Sequence, residues 1–368
     1  MNEISKLFFQ LIKVSLGNSD HLSRTLSKDE WETLYDLAEK HAIVGICFMG
    51  IQRLPKEQLP DKFVLMEWMG QTERIRTRNA YMDECCLKLQ DRLERDGQQY
   101  CILKGQGVAT YYGNLASYRQ SGDIDVWISG GAKNVKEYAC RISLVENTHE
   151  RHVELKIFDD VEIEAHFLPT KLTNLIANRR LQKWFDYQEP IQMQNIIPFG
   201  KEKMHVPTLE FNFVYVLLHI YRHLFNEGVG LRQLMDYYFV LKTANISDDE
   251  KNRVREVISS LGLDNFAKGV MWVLHEVFGM NLSYAIWTLD ERYGRFLLSE
   301  VMQMGNFGHS DSRYLYESSD WYVYRLSQVI KKKLSFFYLY PLEVFWQLHY
   351  IFVKFVRNRF FFFVKDGR

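Results

Sequence analysis

The spacing of apolar residues changes twice along this chain of 368 residues, and this change limits what the chain can fold into. Up to residue 98, and again from Thr208, apolar residues recur at the intervals of amphipathic helices. Between residues 100 and 170 the pattern consists of short apolar runs and two-residue alternation, which are typical of strands. The sequence therefore predicts an α+β fold with a small α/β module between helical regions.

Three regions are expected from this pattern: an N-terminal helical region packing on the core at residues 1–98, an α/β module at 99–205, and a larger C-terminal helical region at 206–368. In the first region, Ser27 and Glu30 have the spacing of a capping box. The residues from Asp61 to Arg95 form a long helical pattern, and Gly97 supplies its end.

Strands are predicted at residues 100–103, 123–128, 152–158 and 161–167. Asp159 and Asp160 lie between the last two strands and predict a tight hairpin turn. Beyond the module, helical patterns cover residues 209–225, 231–242, 248–261, 264–278 and 336–364.

The composition argues against several classes of protein. Lys plus Arg and Asp plus Glu both number 46, which disfavours a dedicated binder of long nucleic acid but leaves room for a mononucleotide. The five cysteines include no Cys-x-x-Cys, so neither a disulfide framework nor a zinc site is expected, and a cytoplasmic location fits. The most apolar stretch, 335–353, contains Glu343, so we expect no transmembrane span.

Asp123 and Asp125 are the most informative pair in the sequence. Residues i and i+2 of a strand point to the same face, so these two carboxylates would lie side by side. Neighbouring carboxylates repel each other, and a divalent cation relieves the repulsion. Mg²⁺ prefers such oxygen ligands and keeps waters and substrate phosphates as its other partners. The pair therefore predicts a Mg²⁺ site, with Mn²⁺ as the alternative ion and a solvated strand face as the alternative interpretation.

A third carboxylate is expected from the strand at 161–167. Glu162, Glu164 and His166 occupy alternate positions and share one face, whereas the residues between them are apolar. If this strand lies beside the Asp123 strand, Glu164 completes the metal site and acts with the aspartates in catalysis. Glu162 lies on the same face and is the alternative ligand, and His166 is a candidate hydrogen-bond partner of a ligand carboxylate.

Phosphate groups need donors, and two positions supply them. Lys104 and Gly105 follow the first strand at a strand-to-helix turn, where free backbone N–H groups and the helix dipole favour an anion. Lys104 would add a point charge, and Arg119 would add a bidentate fork. The alternatives are a lysine that caps the turn and an arginine in a surface ion pair.

Together these segments resemble the uncharacterised bacterial nucleotidyltransferase family, a branch of the DNA polymerase beta-type nucleotidyltransferase superfamily. The resemblance is carried by Leu103-Lys104-Gly105, Arg119, Gly122-Asp123-Ile124-Asp125, Glu164-Ala165-His166, His219-x-x-x-His223 and Leu231-Arg232-Gln233-Leu234-Met235-Asp236. The early stretch from Trp31 to Val44 also fits the family, so the resemblance covers most of the chain to about residue 245.

The resemblance implies a small mixed sheet flanked by helices, and an enzyme that binds a nucleoside triphosphate with magnesium and transfers a nucleotide. It implies metal ligation by Asp123, Asp125 and Glu164. It also groups Ser121 and Gly122 with Lys104, Gly105 and Arg119 as the nucleotide-binding set. The acceptor is not implied.

One departure from the superfamily pattern motivates an alternative. Gly105 is followed by Gln106 rather than by Gly or Ser, and 16 residues separate Gln106 from Asp123. A chain that kept the fold but lost turnover, and now acts as a nucleotide-binding or regulatory protein, fits this departure. A phosphotransferase that uses the same metals is a further alternative.

Two helical pairs have less specific spacings. His219 and His223 lie four residues apart and so share a helical face. Three interpretations of this pair are open: a polar lining of the active-site cleft, a satisfied pair in the core, or a pair of metal ligands. Arg232 and Asp236 are also four apart, and an ordinary helix ion pair is expected, with Asp236 as a further residue of the cleft.

The C-terminal tail is aromatic and basic. From Lys331 to Arg368 the chain carries eight basic and two acidic residues. Three interpretations of the segment from Tyr338 to Lys365 are open: core packing with a solvated basic edge, a surface for a protein or nucleic acid, or shallow peripheral contact with a membrane.

Overall fold

A computed structural model of the protein describes residues 2–243, 246–308, 311 and 322–365, the last range with side chains at 327–357. The predicted α+β class is confirmed, because a mixed sheet of five strands lies between N-terminal helices and a C-terminal helical region.

The N-terminal region contains four helices, α1 Glu3–Ser15, α2 Lys28–Lys40, α3 Val44–Ile51 and α4 Lys62–Arg95. The predicted capping box is present, since the Ser27 side chain accepts from the backbone N–H of Glu30 and the Glu30 side chain accepts from that of Ser27. Asp61 is the N-cap of α4, because its side chain accepts from the backbone N–H groups of Phe63 and Val64, and this helix begins where the sequence predicts.

The α/β module begins with β1 Tyr100–Ile102, α5 Gln106–Ala109, a 3-10 segment Thr110–Tyr118, β2 Ile124–Ile128, α6 Gly131–Ile142, β3 Leu144–Thr148, β4 His152–Phe158 and β5 Val161–His166. The strand order is β1-β2-β5-β4-β3. Strands β2 and β5 are parallel and the other neighbours are antiparallel, so the sheet is mixed, as the resemblance implied.

Five elements of the module were missed from the sequence: α6, β3, α7 Leu175–Gln192, and the hairpin of β6 Ile196–Phe199 and β7 Glu202–His205. Strand β3 is an edge strand whose side chains are mostly exposed, so it lacks the alternation that reveals a half-buried strand. Helix α7 contains Pro190, which the sequence pattern suggests as a break.

The C-terminal region is formed by α8 Leu209–Phe225, α9 Leu231–Lys242, α10 Asp248–Ser260, α11 Asp264–Phe278, α12 Glu291–Met304, α13 Tyr322–Ser335 and α14 Pro341–Lys365. The predicted tail helix from residue 336 begins later, at Pro341, because turns occupy residues 336–339 between α13 and α14. No helix of the described residues is both long and apolar enough to cross a membrane.

The tail packs on the core through some of its side chains only. Phe336 and Val344 are buried, whereas Tyr338, Phe345 and Phe352 are exposed. Core packing therefore accounts for the start of α14, and the role of its exposed face stays a prediction. Residues 366–368 of the basic tail lie outside the described residues.

The two faces of the sheet have different roles. The apolar face carries Ile124, Val126 and Ile163, which pack with side chains of α4 and α6 in one hydrophobic cluster. The opposite face carries Asp125 and Trp127 and faces the helical region, where the Trp127 ring stacks on a phenylalanine of α8 at 5.9 Å between ring centroids. The carboxylates therefore lie where the sheet meets the C-terminal helices.

Two glycines test how closely the helices are packed. A Cβ atom on Gly294 of α12 would lie 2.4 Å from Cε3 of Trp272, a rigid ring on α11. A Cβ atom on Gly70, exposed in α4, would have no neighbour within 4 Å.

We expect Gly294→Ala to lower the free energy of unfolding by about 1–3 kcal/mol through overpacking. Gly70→Ala should raise the same free energy by roughly 0.5–1 kcal/mol, because alanine loses less backbone entropy in a helix. Urea unfolding followed by circular dichroism measures both. Destabilisation by both substitutions, or by neither, would contradict this packing.

Candidate functional site

Three carboxylates converge where β2 and β5 lie side by side. Asp125 of β2 is the register partner of Glu164 of β5. One ligand oxygen from each of Asp123, Asp125 and Glu164 lies within 4.8 Å of the others. The three carboxylates that the sequence singles out thus lie close together, and this arises from parallel pairing of two strands that both carry carboxylates at alternate positions.

Asp125 is the most constrained of the three, with no exposed surface. Its Oδ1 lies 2.8 Å from Nζ of Lys104, with which it forms an ion pair, and 2.8 Å from Nε2 of His166. Burial alone would raise the pKa of Asp125, but Lys104 and His166 outweigh it and hold this pKa below its usual value. Its Oδ2 is buried and has no hydrogen-bond partner, although most buried carboxylate oxygens are paired.

Lys104 therefore lies in a different position from the one expected. Its ammonium group forms an ion pair with Asp125, so in this arrangement it neutralises a carboxylate. Burial lowers the pKa of Lys104, yet the charges of Asp125 and Asp123 reverse that effect and raise it above its usual value. Lys104 is thus a stable cation inside the carboxylate cluster.

His166 joins the two strands. Its Nε2 lies 2.8 Å from Asp125 Oδ1 and 2.9 Å from Glu164 Oε2, while its Nδ1 is 3.2 Å from the carbonyl oxygen of Leu168. Burial lowers the pKa of His166, but the two carboxylates raise it more, and the same contacts lower the pKa of Glu164. A doubly protonated His166 donates to an acceptor from each nitrogen.

Glu162 lies on the same face of β5 but is exposed and does not belong to the group formed by Asp123, Asp125 and Glu164. Partial burial, with repulsion from Asp123 and Glu164, raises the pKa of Glu162. Of the two glutamates, Glu164 therefore has the geometry expected of the third carboxylate.

The turn at Gly105 differs from the expected anion site. Gly105 has φ of +57°, and a Cβ atom there would lie 3.2 Å from the carbonyl oxygen of Asp123, so the turn packs against the aspartate strand. Helix α5 has only four residues. The expected contribution of a helix dipole is therefore wrong, since such a dipole needs several aligned turns.

Ser121 and Gln106 connect this turn to α4 through hydrogen bonds. The Ser121 hydroxyl donates to Oδ1 of Asn79 and lies 3.3 Å from Gln106 Oε1, and Gln106 Nε2 donates to Asp83 at 2.7 Å. The unusual Gln106 is thus fully engaged in a hydrogen-bond network that holds the turn to α4.

Arg119 forms a buried ion pair with Asp236 of α9, at 2.7 Å from Nε and 2.9 Å from Nη2. Tyr112 donates its hydroxyl to the same carboxylate at 2.6 Å. The Nη1 atom of Arg119 is buried without a partner. The expected helix ion pair between Arg232 and Asp236 is wrong, because Asp236 binds Arg119 instead.

Arg232 is a candidate site residue that the sequence did not reveal. Its Nη1 donates to the carbonyl oxygen of Gln120 at 2.8 Å and lies 3.8 Å from where a Cβ atom on Gly122 would be. Burial and the charge of Arg119 lower the pKa of Arg232. Its position depends on the pairing of Asp236 with Arg119, which only the folded structure reveals.

These groups surround a small cavity of about 30 Å³, whose lining includes Lys104, Gly105, Arg119, Gly122, Asp123, His219, Arg232 and Asp236. The cavity combines three cationic side chains with the edge of the carboxylate cluster. An anion that carries divalent cations would meet complementary charges there.

The two histidines of α8 have different surroundings. His219 lines this cavity, and burial keeps its pKa well below the usual value, so it is neutral. His223 lies 2.6 Å from a carboxylate oxygen of Glu227 and 3.1 Å from Nη2 of Arg222. His223 is thus a buried residue with an ion-pair contact whose Nδ1 makes no hydrogen bond, and within the described residues neither histidine belongs to a group with metal-ligand spacing.

Comparison with known proteins gives one extensive match. A family model described as an uncharacterised nucleotidyltransferase matches residues 27–279. No match is found among curated proteins. Among solved structures, an antigenic nucleotidyltransferase-like protein from Paracoccidioides brasiliensis aligns with 61% of this chain and 98% of its own, at 13% identity and a TM-score of 0.36.

We expect Asp236→Asn to lower the free energy of unfolding by about 3–5 kcal/mol, because it leaves Arg119 charged, buried and close to Arg232. Adding Arg119→Met should recover part of this loss, since the unpaired charge is then removed. Asp186→Asn, at an exposed position of α7, is the matched control and should stay within roughly 0.5 kcal/mol. Denaturant titration measures these proteins together with Arg119→Met alone, and additive effects of the two single substitutions would show that the pair is not coupled.

Proposed function

The chain belongs to the uncharacterised nucleotidyltransferase family, and we propose that it transfers a nucleoside monophosphate from a nucleoside triphosphate to an acceptor hydroxyl. In this reaction the acceptor oxygen forms a bond to the α-phosphorus. The bond from that phosphorus to the bridging oxygen breaks, and its electron pair leaves with pyrophosphate. The hydroxyl proton passes to water. The observation that carries the proposal is the convergence of Asp123, Asp125 and Glu164 beside a cationic cavity.

The donor set fits a divalent metal ion. It consists of carboxylate oxygens, which Mg²⁺ and Mn²⁺ prefer, and Asp125 Oδ2 is buried without any partner. Asp123, Asp125 and Glu164 would hold the metal, with Mg²⁺ as the expected ion. When bound, the ion would neutralise charge on the transferred phosphoryl group and favour ionisation of the acceptor hydroxyl.

The chain's own residues position the substrates. Lys104, Arg119 and Arg232 line the cavity and would bind the phosphate oxygens, with Arg119 using its unpartnered Nη1. The ion pair of Lys104 with Asp125 balances the carboxylates until a nucleotide arrives, and the ammonium then becomes a phosphate donor. His166 holds Asp125 and Glu164 in fixed orientations through its Nε2.

A second candidate function is nucleotide binding without turnover. The observation that favours it is the ion pair of Lys104 with Asp125, which occupies one ligand oxygen of the central carboxylate. A chain in which this pair persists in the presence of a triphosphate would bind the nucleotide through the cationic cavity and release no pyrophosphate. Calorimetry with each of the four triphosphates, with and without Mg²⁺, separates the two functions when combined with a pyrophosphate assay.

We expect Asp125→Asn and Glu164→Gln each to reduce magnesium-dependent pyrophosphate release by roughly 10³-fold or more, because each removes a charge from the metal site. The assay uses each nucleoside triphosphate with a deproteinised cell extract as the source of acceptor. Mass analysis of the product distinguishes an added nucleotide from the added phosphate of a phosphotransferase.

Glu162→Gln is the matched control, since it makes the same change on the same face of β5 outside the carboxylate group. It should keep activity within about threefold of the unmodified chain. Circular dichroism confirms that all variants are folded. Full pyrophosphate release by Asp125→Asn would exclude the proposed metal site. If Glu162→Gln loses this activity while Glu164→Gln keeps it, Glu162 and not Glu164 is the third metal ligand.

A further inference from the structure

A second cavity lies near the carboxylate cluster, since the charges of Glu164 and Asp125 interact with Arg151 of its lining. It has a volume of about 290 Å³, and its polar lining consists of Glu150, Arg151, Lys171, Thr173, Asn178, Arg222, Asn226, Gln347 and Tyr350. Three of these side chains are cationic and one is acidic. The proposed nucleotide transfer does not use this cavity.

Arg151 is the central cation of this second cavity. It precedes β4, and its carbonyl oxygen accepts from the backbone N–H of Phe167 at 2.9 Å, which fixes the main chain beside the end of β5. Its half-buried guanidinium forms no ion pair or side-chain hydrogen bond with any residue that the structure describes. It is close enough to Glu164 and Asp125 for their charges to interact with it.

Arg222 approaches from α8. It lies one helical turn beyond His219, which lines the first cavity, so α8 contributes a residue to each of the two cavities. The Arg222 side chain is 15% exposed, its Nε has no partner, and its Nη1 is 3.3 Å from Glu227. Arg151 and Arg222 repel each other, which lowers the pKa of Arg151 in addition to the effect of burial.

The acidic residue of the cavity does not relieve this repulsion. Glu150 is ion-paired with Lys171 and also accepts a hydrogen bond from the Tyr350 hydroxyl at 3.1 Å. Arg222 is ion-paired with Glu227, whose charge also interacts with Arg151, so among the described residues Arg151 is the cation of this cavity that no carboxylate pairs with. An arginine without an ion pair, beside a second arginine whose Nε has no partner, is complementary to a phosphate group with several acceptor oxygens.

Helix α14 forms one wall of the second cavity through Gln347 and Tyr350. Gln347 is held in place by hydrogen bonds from its Nε2 to Thr173 at 2.9 Å and to Glu343 at 2.6 Å. These residues lie beyond residue 279, where the match to the family model ends. The wall thus belongs to a part of the chain that the family pattern does not specify.

We propose that the second cavity binds a phosphate group on the acceptor, so that the substrate that receives the nucleotide is a small phosphorylated molecule. This inference rests on the proposed function and adds the class of acceptor. Arg151 and Arg222 bind the phosphate, which takes no part in the bond exchange, and the hydroxyl of the same molecule is thereby directed towards Glu164 and Asp125. A cavity of this size is at the lower end of those that hold small molecules.

The test uses inorganic phosphate as the probe and the full-length chain without nucleotide or metal. We expect calorimetry to detect phosphate binding that weakens at least tenfold in Arg151→Gln and in Arg222→Gln. The affinity of Arg151→Lys for phosphate should lie between that of these variants and that of the unmodified chain, because lysine keeps the positive charge but lacks the bidentate guanidinium group. Arg179→Gln, on the exposed side of α7, is the matched control and should bind phosphate as the unmodified chain does.

Parallel titrations with ATP and Mg²⁺ show whether the inorganic phosphate binds at a site separate from that of the triphosphate. We expect Arg151→Gln to change ATP binding less than twofold. Equal weakening of ATP and phosphate would assign Arg151 to the triphosphate and overturn the proposal, as would phosphate binding lost only in Lys104→Gln. If acetate binds as tightly as phosphate, the proposed phosphate site is wrong and the cavity binds a carboxylate instead.

The phosphate titration needs no turnover, so it can fail independently of the proposed function. Phosphate binding that depends on Arg151, in a chain that releases no pyrophosphate, would overturn the nucleotide transfer and leave an anion site. Pyrophosphate release without phosphate binding would overturn the assignment of the acceptor alone.

Discussion

The repulsion between carboxylates on two parallel strands is the constraint on which the site depends. Asp125 and Glu164 are register partners in neighbouring strands, and Asp125 is completely buried. Buried like charges are unfavourable unless cations or hydrogen bonds stabilise them. Lys104 and His166 provide that stabilisation from within the chain. These cations offset the negative charge, but one carboxylate oxygen of Asp125 still has no hydrogen-bond partner. An unpaired oxygen of this kind is expected at a site that binds a further cation.

A buried ion pair also connects the α/β module to the C-terminal helices. Arg119, which follows the 3-10 segment, pairs with Asp236 of α9, and this pairing leaves Arg232 free to approach Gly122. The helical region thus does more than cover a sheet face, since it supplies one cation, Arg232, to the cavity beside the carboxylates. Helix α8 contributes Arg222 to the lining of the second cavity. Cationic side chains thus line two cavities near the carboxylates, and such charge favours the binding of anions.

Sequence patterns predicted those parts of the site that depend on local periodicity. The alternation around Asp125 and Glu164 predicts both strands and their polar faces, and parallel pairing then brings the carboxylates together. Contacts between residues distant in sequence were not predictable in this way. The pairing of Arg119 with Asp236 spans 117 residues, and the spacing of Arg232 and Asp236 suggested a different pair. Exposed edge strands such as β3 were also missed, because a strand without a buried face has no strong alternation.

The central claim is that Asp123, Asp125 and Glu164 bind a divalent cation with the nucleotide. Anomalous diffraction from crystals grown with Mn²⁺ and a non-hydrolysable triphosphate analogue tests it most directly. The expected result is a manganese peak bonded to carboxylate oxygens of Asp123 and Asp125, with Nζ of Lys104 moved from Asp125 to a phosphate oxygen. A bound analogue with no manganese peak at these carboxylates, and with Lys104 still paired to Asp125, would contradict the claim.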